Sequence, residues 1–273
     1  MQQTIFDCHC HSCYSPDGNT RIDELAFCAF ENGIAGICVT DHCDLNTPAP
    51  PEGYAARFQK SHSEILQLRK KWNSKVNILS GIEIGQVLNF EEEARAVIAA
   101  VDFDFVLLSW HCAFAKTDLF LLDYSRFSEI ELEKLCRSYF ERVSLSVQHW
   151  DDFDAFAHLT LPSRYLKLRC GIDIDLRRYS DELEVILKTL ISKGKGLEIN
   201  TSGLGSGHGT TMPDPWLIKY FRELGGQIIT LGSDAHSGKD IGSFLHSGAS
   251  IAYNAGFRYA AYYKERKPIF YPI

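Results

Sequence analysis

Seven short apolar runs, each followed by a longer stretch, constrain this chain more than any other feature. They cover residues 4–8, 36–40, 76–83, 103–109, 155–158, 196–200 and 227–231. Short, nearly continuous apolar runs suit strands covered on both faces, and helices between them supply the cover. Helices are expected over residues 21–32, 54–72, 90–100, 129–150, 181–193 and 213–224. In the first of these Ile22, Leu25, Ala26 and Ala29 share one face, and Gly33 follows as a stop signal. Loops are expected over the Pro-rich residues 43–53, the mixed-charge residues 159–179 (with local helix) and the Gly-rich residues 201–211, while residues 114–128 carry no clear period. Repeated β/α units predict a parallel sheet. A closed or nearly closed barrel is the preferred geometry, with an open doubly wound sheet as the alternative. No linker or shift in composition divides residues 1–273, so a single domain is expected.

In a parallel barrel the C-terminal ends of all strands open on one face, where active sites of such folds lie. The residues just beyond or ending the runs are His9 and His11, Asp41 and His42, Glu83, His111, His158, Asn200 and Thr201, then Asp234 and His236. Six of the ten histidines are therefore placed at strand ends, and His62, His149, His208 and His246 are not. If the first strand persists, His9 and His11 project to the same side, and Cys8 and Cys10 project to the other as packing residues. Asp17 follows the Ser15-Pro16 turn signal. Imidazole and carboxylate together suit zinc, manganese or iron, and these side chains are too many for one tetrahedral ion. Two or three divalent ions are expected.

Other readings fare less well. Cys10-His11-Ser12-Cys13 is a Cys-x-x-Cys, but neither a second pair nor a helix start follows it, and the nine cysteines read as reduced thiols. A net charge of -7 argues against a broad basic surface for nucleic acid. No apolar run approaches the roughly 20 residues of a membrane span. Met1-Gln2-Gln3-Thr4 lacks the basic region and apolar core of a signal peptide, so a cytoplasmic location is expected.

The order His9-x-His11, Asp17, Thr40-Asp41-His42, Glu83, His111, His158 and Ser233-Asp234-Ala235-His236 resembles the PHP family, named for polymerases and histidinol phosphatases, over nearly the whole chain. Leu197-Glu198-Ile199-Asn200-Thr201-Ser202-Gly203 and Tyr262-Tyr263-Lys264-Glu265-Arg266-Lys267-Pro268 are similar to its branch of monofunctional histidinol-phosphate phosphatases. The resemblance implies a distorted (β/α)7 barrel with the metal site at the C-terminal ends of the strands. It implies hydrolysis of a small phosphate monoester, histidinol phosphate of histidine biosynthesis, by a hydroxide bridging two ions. One ion would take His9, His11, Glu83 and Asp234. A second would share Glu83 and take His111 and His158, and a third would take Asp17, His42 and His236. Glu83, Asp234 and His236 carry over as catalytic residues, with Asp234 either a proton acceptor or a ligand alone. Arg164 resembles a phosphate-contacting arginine of the branch. Where the branch carries a second basic residue, this chain reads Gly203-Leu204-Gly205-Ser206-Gly207-His208-Gly209, so a protonated His208 or backbone amides would stand in as the substrate contact. Asp44, Asp118 and Trp110 are candidates for the substrate's amine and imidazole. The loop also leaves open a phosphoesterase acting on another small ester or a nucleotide. A non-catalytic metal-binding protein is the remaining alternative, and the filled ligand positions argue against it.

Overall fold

The computed structural model describes residues 5–50, 52–113 and 117–273. Thr4, Pro51 and Phe114, which belong to segments considered above, lie outside the described residues. The elements run β1 (Phe6–Cys10), α1 (Ile22–Glu31), β2 (Gly36–Val39), β3 (His42–Asp44), α2 (Tyr54–Trp72), β4 (Asn77–Gly85), α3 (Glu91–Ala99) and β5 (Phe105–Ser109). There follow β6 (Cys112–Ala113), β7 (Thr117–Asp118), α4 (Glu129–His149), β8 (Ala155–Phe156), α5 (Leu161–Cys170), α6 (Ser180–Ser192), β9 (Gly196–Asn200) and α7 (Ser202–Gly205). Last come α8 (Pro215–Glu223), β10 (Ile229–Gly232), α9 (Leu245–Asn254), β11 (Tyr259–Lys264) and β12 (Lys267–Pro272).

Parallel strands pair in the order β1-β2-β4-β5-β8-β9-β10, as the β/α repetition predicts. The two ends of this path meet. Cys10 bridges to Ala235, the His11 amide donates to the Ala235 carbonyl at 2.8 Å, and the Asp234 amide donates to the His9 carbonyl at 2.8 Å. The result is a nearly closed barrel of seven parallel strands, and the bonds that join its ends lie among the candidate ligands. The helices bury one stripe each: α1 turns Ile22, Leu25, Ala26 and Ala29 inward. In α4, Leu132, Leu135, Tyr139, Phe140, Val143 and Val147 follow the helical period, behind a Ser128–Glu131 capping box that satisfies free amides at its start. Cys8 and Cys10 are buried away from the histidines, and the Cys10 thiol donates to the Cys38 carbonyl at 3.2 Å.

The structure departs from the sequence expectations in the loops. Residues 43–53 begin inside β3, because β4 outruns β2 and offers its last residues as a parallel partner to His42–Asp44. Residues 159–179 contain α5, opened by a proline in its first turn and closed by Gly171 in the left-handed region at φ 69°. Its buried stripe of Leu161, Pro162, Ser163 and Leu166 is too brief to show a period. Residues 201–211 open with the short turn α7. The described part of 114–128 forms β7 and two 3-10 turns, each begun by an aspartate (Asp118 and Asp123) whose side chain accepts a backbone N–H. Beyond β10 the chain adds α9 and the β11–β12 hairpin.

That hairpin covers the N-terminal mouth of the barrel. Tyr262 stacks on Phe6 at the start of β1, ring centroids 3.8 Å apart, and Tyr263 stacks on Phe105 at the start of β5 at 4.9 Å. Tyr263 donates its hydroxyl to the Asp154 carbonyl at 3.1 Å, and Arg266 donates to the Asp152 carboxylate at 3.0 Å and the Asp154 carboxylate at 2.5 Å. At the C-terminal mouth Asp17 is exposed and His236 half-buried. Among the described residues no helix is long and apolar enough to cross a membrane.

Candidate metal centre

At the C-terminal mouth β1 delivers His9 and His11, the end of β2 leads into His42, β4 carries Glu83, and the segments after β5, β8 and β10 supply His111, His158, Asp234 and His236. Asp17 comes from the turn after β1. Four overlapping groups of potential ligand atoms form among the described residues: His11, Asp17, His42 and His236; His9, His11 and Asp234; His9, Glu83 and His158; His42, Glu83 and His111.

Glu83 is the hub. Its carboxylate is fully buried and lies 2.8 Å from His42, 2.8 Å from His158, 3.0 Å from His111, 3.4 Å from His9 and 3.7 Å from His11. Asp234 Oδ1 lies 3.5 Å from His9 Nε2 and 3.3 Å from His11 Nε2. Those two imidazole nitrogens are 3.1 Å apart. Asp17 Oδ2 lies 3.0 Å from His236 and 3.4 Å from His42. Ligands about 2.1 Å from a tetrahedral ion stand about 3.4 Å from one another, so these separations suit shared ions. His42 Nδ1 and Glu83 Oε2 face each other at 2.8 Å, yet among the described residues both are buried atoms without a hydrogen bond. Two lone-pair atoms buried and turned to common ground fit a cation. Side-chain exposure rises from 0% at Glu83 to 52% at Asp17, so the Asp17–His236 position is the one nearest solvent.

The second nitrogen of most of these rings is already committed. His9 Nδ1 lies 2.6 Å from Glu198, His111 Nδ1 lies 2.8 Å from Asp44, His11 Nδ1 lies 3.3 Å from Ser15 Oγ, and His236 Nδ1 lies 2.9 Å from the Asp234 carbonyl. An N–H held by an oxygen at Nδ1 leaves Nε2 as the free donor for an ion. Burial works against charge here, but the partners prevail. It would lower His9, His42 and His111, whose carboxylate neighbours instead hold all three well above the ordinary histidine value. It would raise Glu83 and Asp234, which the surrounding imidazoles hold well below the usual carboxylate range. His11 differs: burial and its neighbours His42 and His236 lower it to about 3, so its ring is neutral. Opposite charges packed this densely are a place where protons and cations exchange.

The expected substrate contacts are placed beside this cluster. Arg164, in the first turn of α5, donates to Ser202 Oγ at 3.2 Å and lies 3.8 Å from Asp234 Oδ2; its Nε is buried without a partner among the described residues. His208 reaches Ser163, the neighbour of Arg164, at 3.3 Å. Burial first, then Arg164, hold its imidazole below the ordinary value, so it offers a neutral ring instead of a cation. Of the candidates for the amine and imidazole, Asp44 is turned to His111, Trp110 is buried and donates to the Cys112 carbonyl, and Asp118 caps a 3-10 turn.

Sequence reasoning missed Glu198 and Asp7. Asp7 is fully buried and accepts from the Ser233 hydroxyl and from the amides of Ser233 and Gly242, which anchors the Asp234–His236 segment to β1. A signal was present in each case: a lone carboxylate interrupting an apolar strand run, a placement that burial penalises unless the group has partners.

A family model for the PHP domain matches residues 7–202. A Thermotoga maritima protein is 31% identical over 239 residues, covering 87% of either chain. The histidinol-phosphatase of Lactococcus lactis is 29% identical over 266 residues, covering 96% of this chain and 95% of that one. The crystal structure of the Lactococcus lactis histidinol phosphate phosphatase, complexed with zinc, L-histidinol and phosphate, superposes with a TM-score of 0.82 at 26% identity, covering 97% of this chain and 99% of that one. By the family match and the fold together, the chain belongs to the PHP domain family.

Proposed function

We propose that the protein is a metal-dependent phosphate monoester hydrolase acting on histidinol phosphate, in histidine biosynthesis. The observation that carries this reading is Glu83, one buried carboxylate shared by five imidazoles at the open mouth of the barrel. Likeness to the zinc-, L-histidinol- and phosphate-bound enzyme of Lactococcus lactis over almost the whole chain supports the substrate. His9, His11, Glu83, His111, His158 and Asp234 would hold two ions, and Asp17, His42 and His236 a third. Zinc is the leading candidate, with manganese and iron as the others. Ions bound there would lower the pKa of a water toward neutrality and draw charge from the phosphoryl oxygens.

The chain's own residues do the rest. Arg164 places a permanent cation 3.8 Å from Asp234, where it can offset charge developing on the phosphoryl group. Asp234 is held by His9, His11 and Asn200 with its carboxylate ionised, which suits it to bind an ion and to orient an attacking water through a hydrogen bond. His236, beside both Asp234 and Asp17, serves the solvent side. His208, with Ser163, borders the same helix turn as a neutral substrate contact.

A substrate panel with metal content determined on the same sample tests the reading. Histidinol phosphate should be the preferred ester, with activity lost to a chelator and restored by zinc. A second reading, a phosphoesterase for another small ester or a nucleotide, is favoured by the absence of lysine and arginine from residues 203–209. Negligible turnover of histidinol phosphate beside strong turnover of another ester would decide for it.

A further inference from the structure

Glu198 makes two different contacts with the metal centre, and neither carboxylate oxygen is turned to the ions' ground. Oε1 lies 2.6 Å from His9 Nδ1. Oε2 accepts the backbone N–H of His158 at 2.8 Å and the Asn200 side-chain amide at 3.2 Å. The same Asn200 amide reaches Asp234 Oδ2 at 3.3 Å. One carboxylate on β9 is therefore tied to ligands from β1, β8 and the end of β10. We propose that Glu198 is the positioning residue that sets two metal-ligating histidines at once, His9 through its ring and His158 through its main chain. The inference rests on the reading of the cluster as a metal centre.

Three observations carry it. The side chain of Glu198 is fully buried, so its contacts are shielded from bulk solvent. His158 has φ 28°, a conformation that side chains other than glycine adopt only when their surroundings enforce it, and the Glu198 oxygen on its N–H is such a restraint. Gly232 supplies the space: a Cβ there would stand 2.3 Å from Glu198 Oε1 and 2.5 Å from the His9 Cβ. All three groups that face Glu198 donate when His9 ligates through Nε2, namely the His9 Nδ1–H, the His158 N–H and the Asn200 amide. A carboxylate can accept from both sides, whereas the amide of a glutamine accepts on one side only. With its oxygen on His158, a glutamine would aim its NH₂ at His9 Nδ1 and favour the tautomer whose Nε2 carries the proton and cannot ligate.

The test is Glu198→Gln, read by zinc competition against a chromophoric chelator and by thermal melting of the metal-free protein. Zinc affinity should fall about 10- to 100-fold at one position, the range for losing an oriented partner of a ligating histidine. The metal-free melting temperature should fall as well, since Glu198 is buried against His9 in the ion-free fold; a merely structural role would lower it and leave zinc affinity intact. A folded variant with wild-type zinc affinity overturns the proposal. Should the variant not fold, ¹⁵N-histidine NMR of the zinc-loaded wild type decides: His9 protonated at Nδ1 with zinc at Nε2 supports it, and zinc at Nδ1 overturns it. If the wild type binds none of zinc, manganese and iron, the metal-centre reading falls and the proposal with it; if only the variant comparison fails, the metal centre stands.

Discussion

At the N-terminal mouth of the barrel, Asp104 and Asp154 meet guanidinium groups and backbone amides. Asp104 pairs with Arg69 and accepts from the amides of Ser80 and Glu265, and Asp154 pairs with Arg266 and accepts from the Val106 amide. At the C-terminal mouth, Glu83 meets five imidazoles. Both sets of carboxylates are buried, but the first is neutralised by permanent charges and the second by groups that give up their protons. A guanidinium stays charged across the working pH range, so the covered mouth needs nothing from solution. An imidazole does not, so the open mouth can exchange its protons for ions. The two mouths thus divide the work: one closes the fold, and the other takes a cargo of charge.

The change that should break this contrast most strongly is Glu83→Ala. It removes the group shared by the first two ion positions, so both ions should be lost together and activity should fall by more than about 10³-fold. Elemental analysis checks the first outcome and single-substrate kinetics the second. Full metal content in the variant would show that Glu83 does not bridge.

A shift of pH about neutrality should act on the same mouth. His9, His42 and His111 are held well above the ordinary histidine value in the metal-free fold. A raised histidine lends the metal-free fold stability that is full below the ordinary value near 6.5, and it is lost as pH rises through the folded value. Ion binding displaces those protons, so the gain in melting temperature on adding zinc should grow with pH. His11, lowered to about 3, stays neutral and contributes no proton to this exchange. Melting curves with and without zinc on either side of neutrality measure the trend; a zinc increment that shrinks toward alkaline pH would contradict it.

Arg164→Ala should have a smaller and more local effect. The guanidinium lies 3.8 Å from Asp234 with its Nε unpartnered among the described residues, so its loss should raise KM for phosphate esters by about tenfold, the loss of one charge-assisted contact, with metal content unchanged. Unaltered steady-state kinetics would remove it from the site.

The fold and most of the cluster were legible in the sequence because each candidate ligand but Asp17 stands at or just past the end of an apolar run. A period of strands and the residue type at its end carry that information locally. Glu198 showed only as a carboxylate interrupting an apolar run, and its role was not legible, since its partner His9 lies 189 positions away and only the β9–β10–β1 closure brings them together. The hairpin has the same difficulty: Arg266 meets Asp154 across 112 positions. Short elements such as β3 carry no pattern of their own, and the longer strand beside them supplies the bonds. The resemblance in Tyr262-Tyr263-Lys264-Glu265-Arg266 was visible as a motif, but its role as the cover of the far mouth came only with the topology.

Arg266→Ala tests the covered mouth and should move activity least. It breaks the pair with Asp154, a carboxyl that burial pushes up and that Arg266 draws back toward ionisation. The arginine side chain is 29% exposed, so water reaching the gap offsets part of the loss, and a cost of about 2 kcal/mol is expected. Asp152, the second partner, is more exposed and adds little. The stacks of Tyr262 on Phe6 and Tyr263 on Phe105 remain to hold the hairpin down. The melting temperature should therefore drop by several degrees, while zinc stoichiometry and kcat/KM at room temperature stay near wild type. A loss of zinc in this variant would mean that the two mouths are coupled through β1, whose Phe6 lies under the hairpin and whose His9 faces the ions.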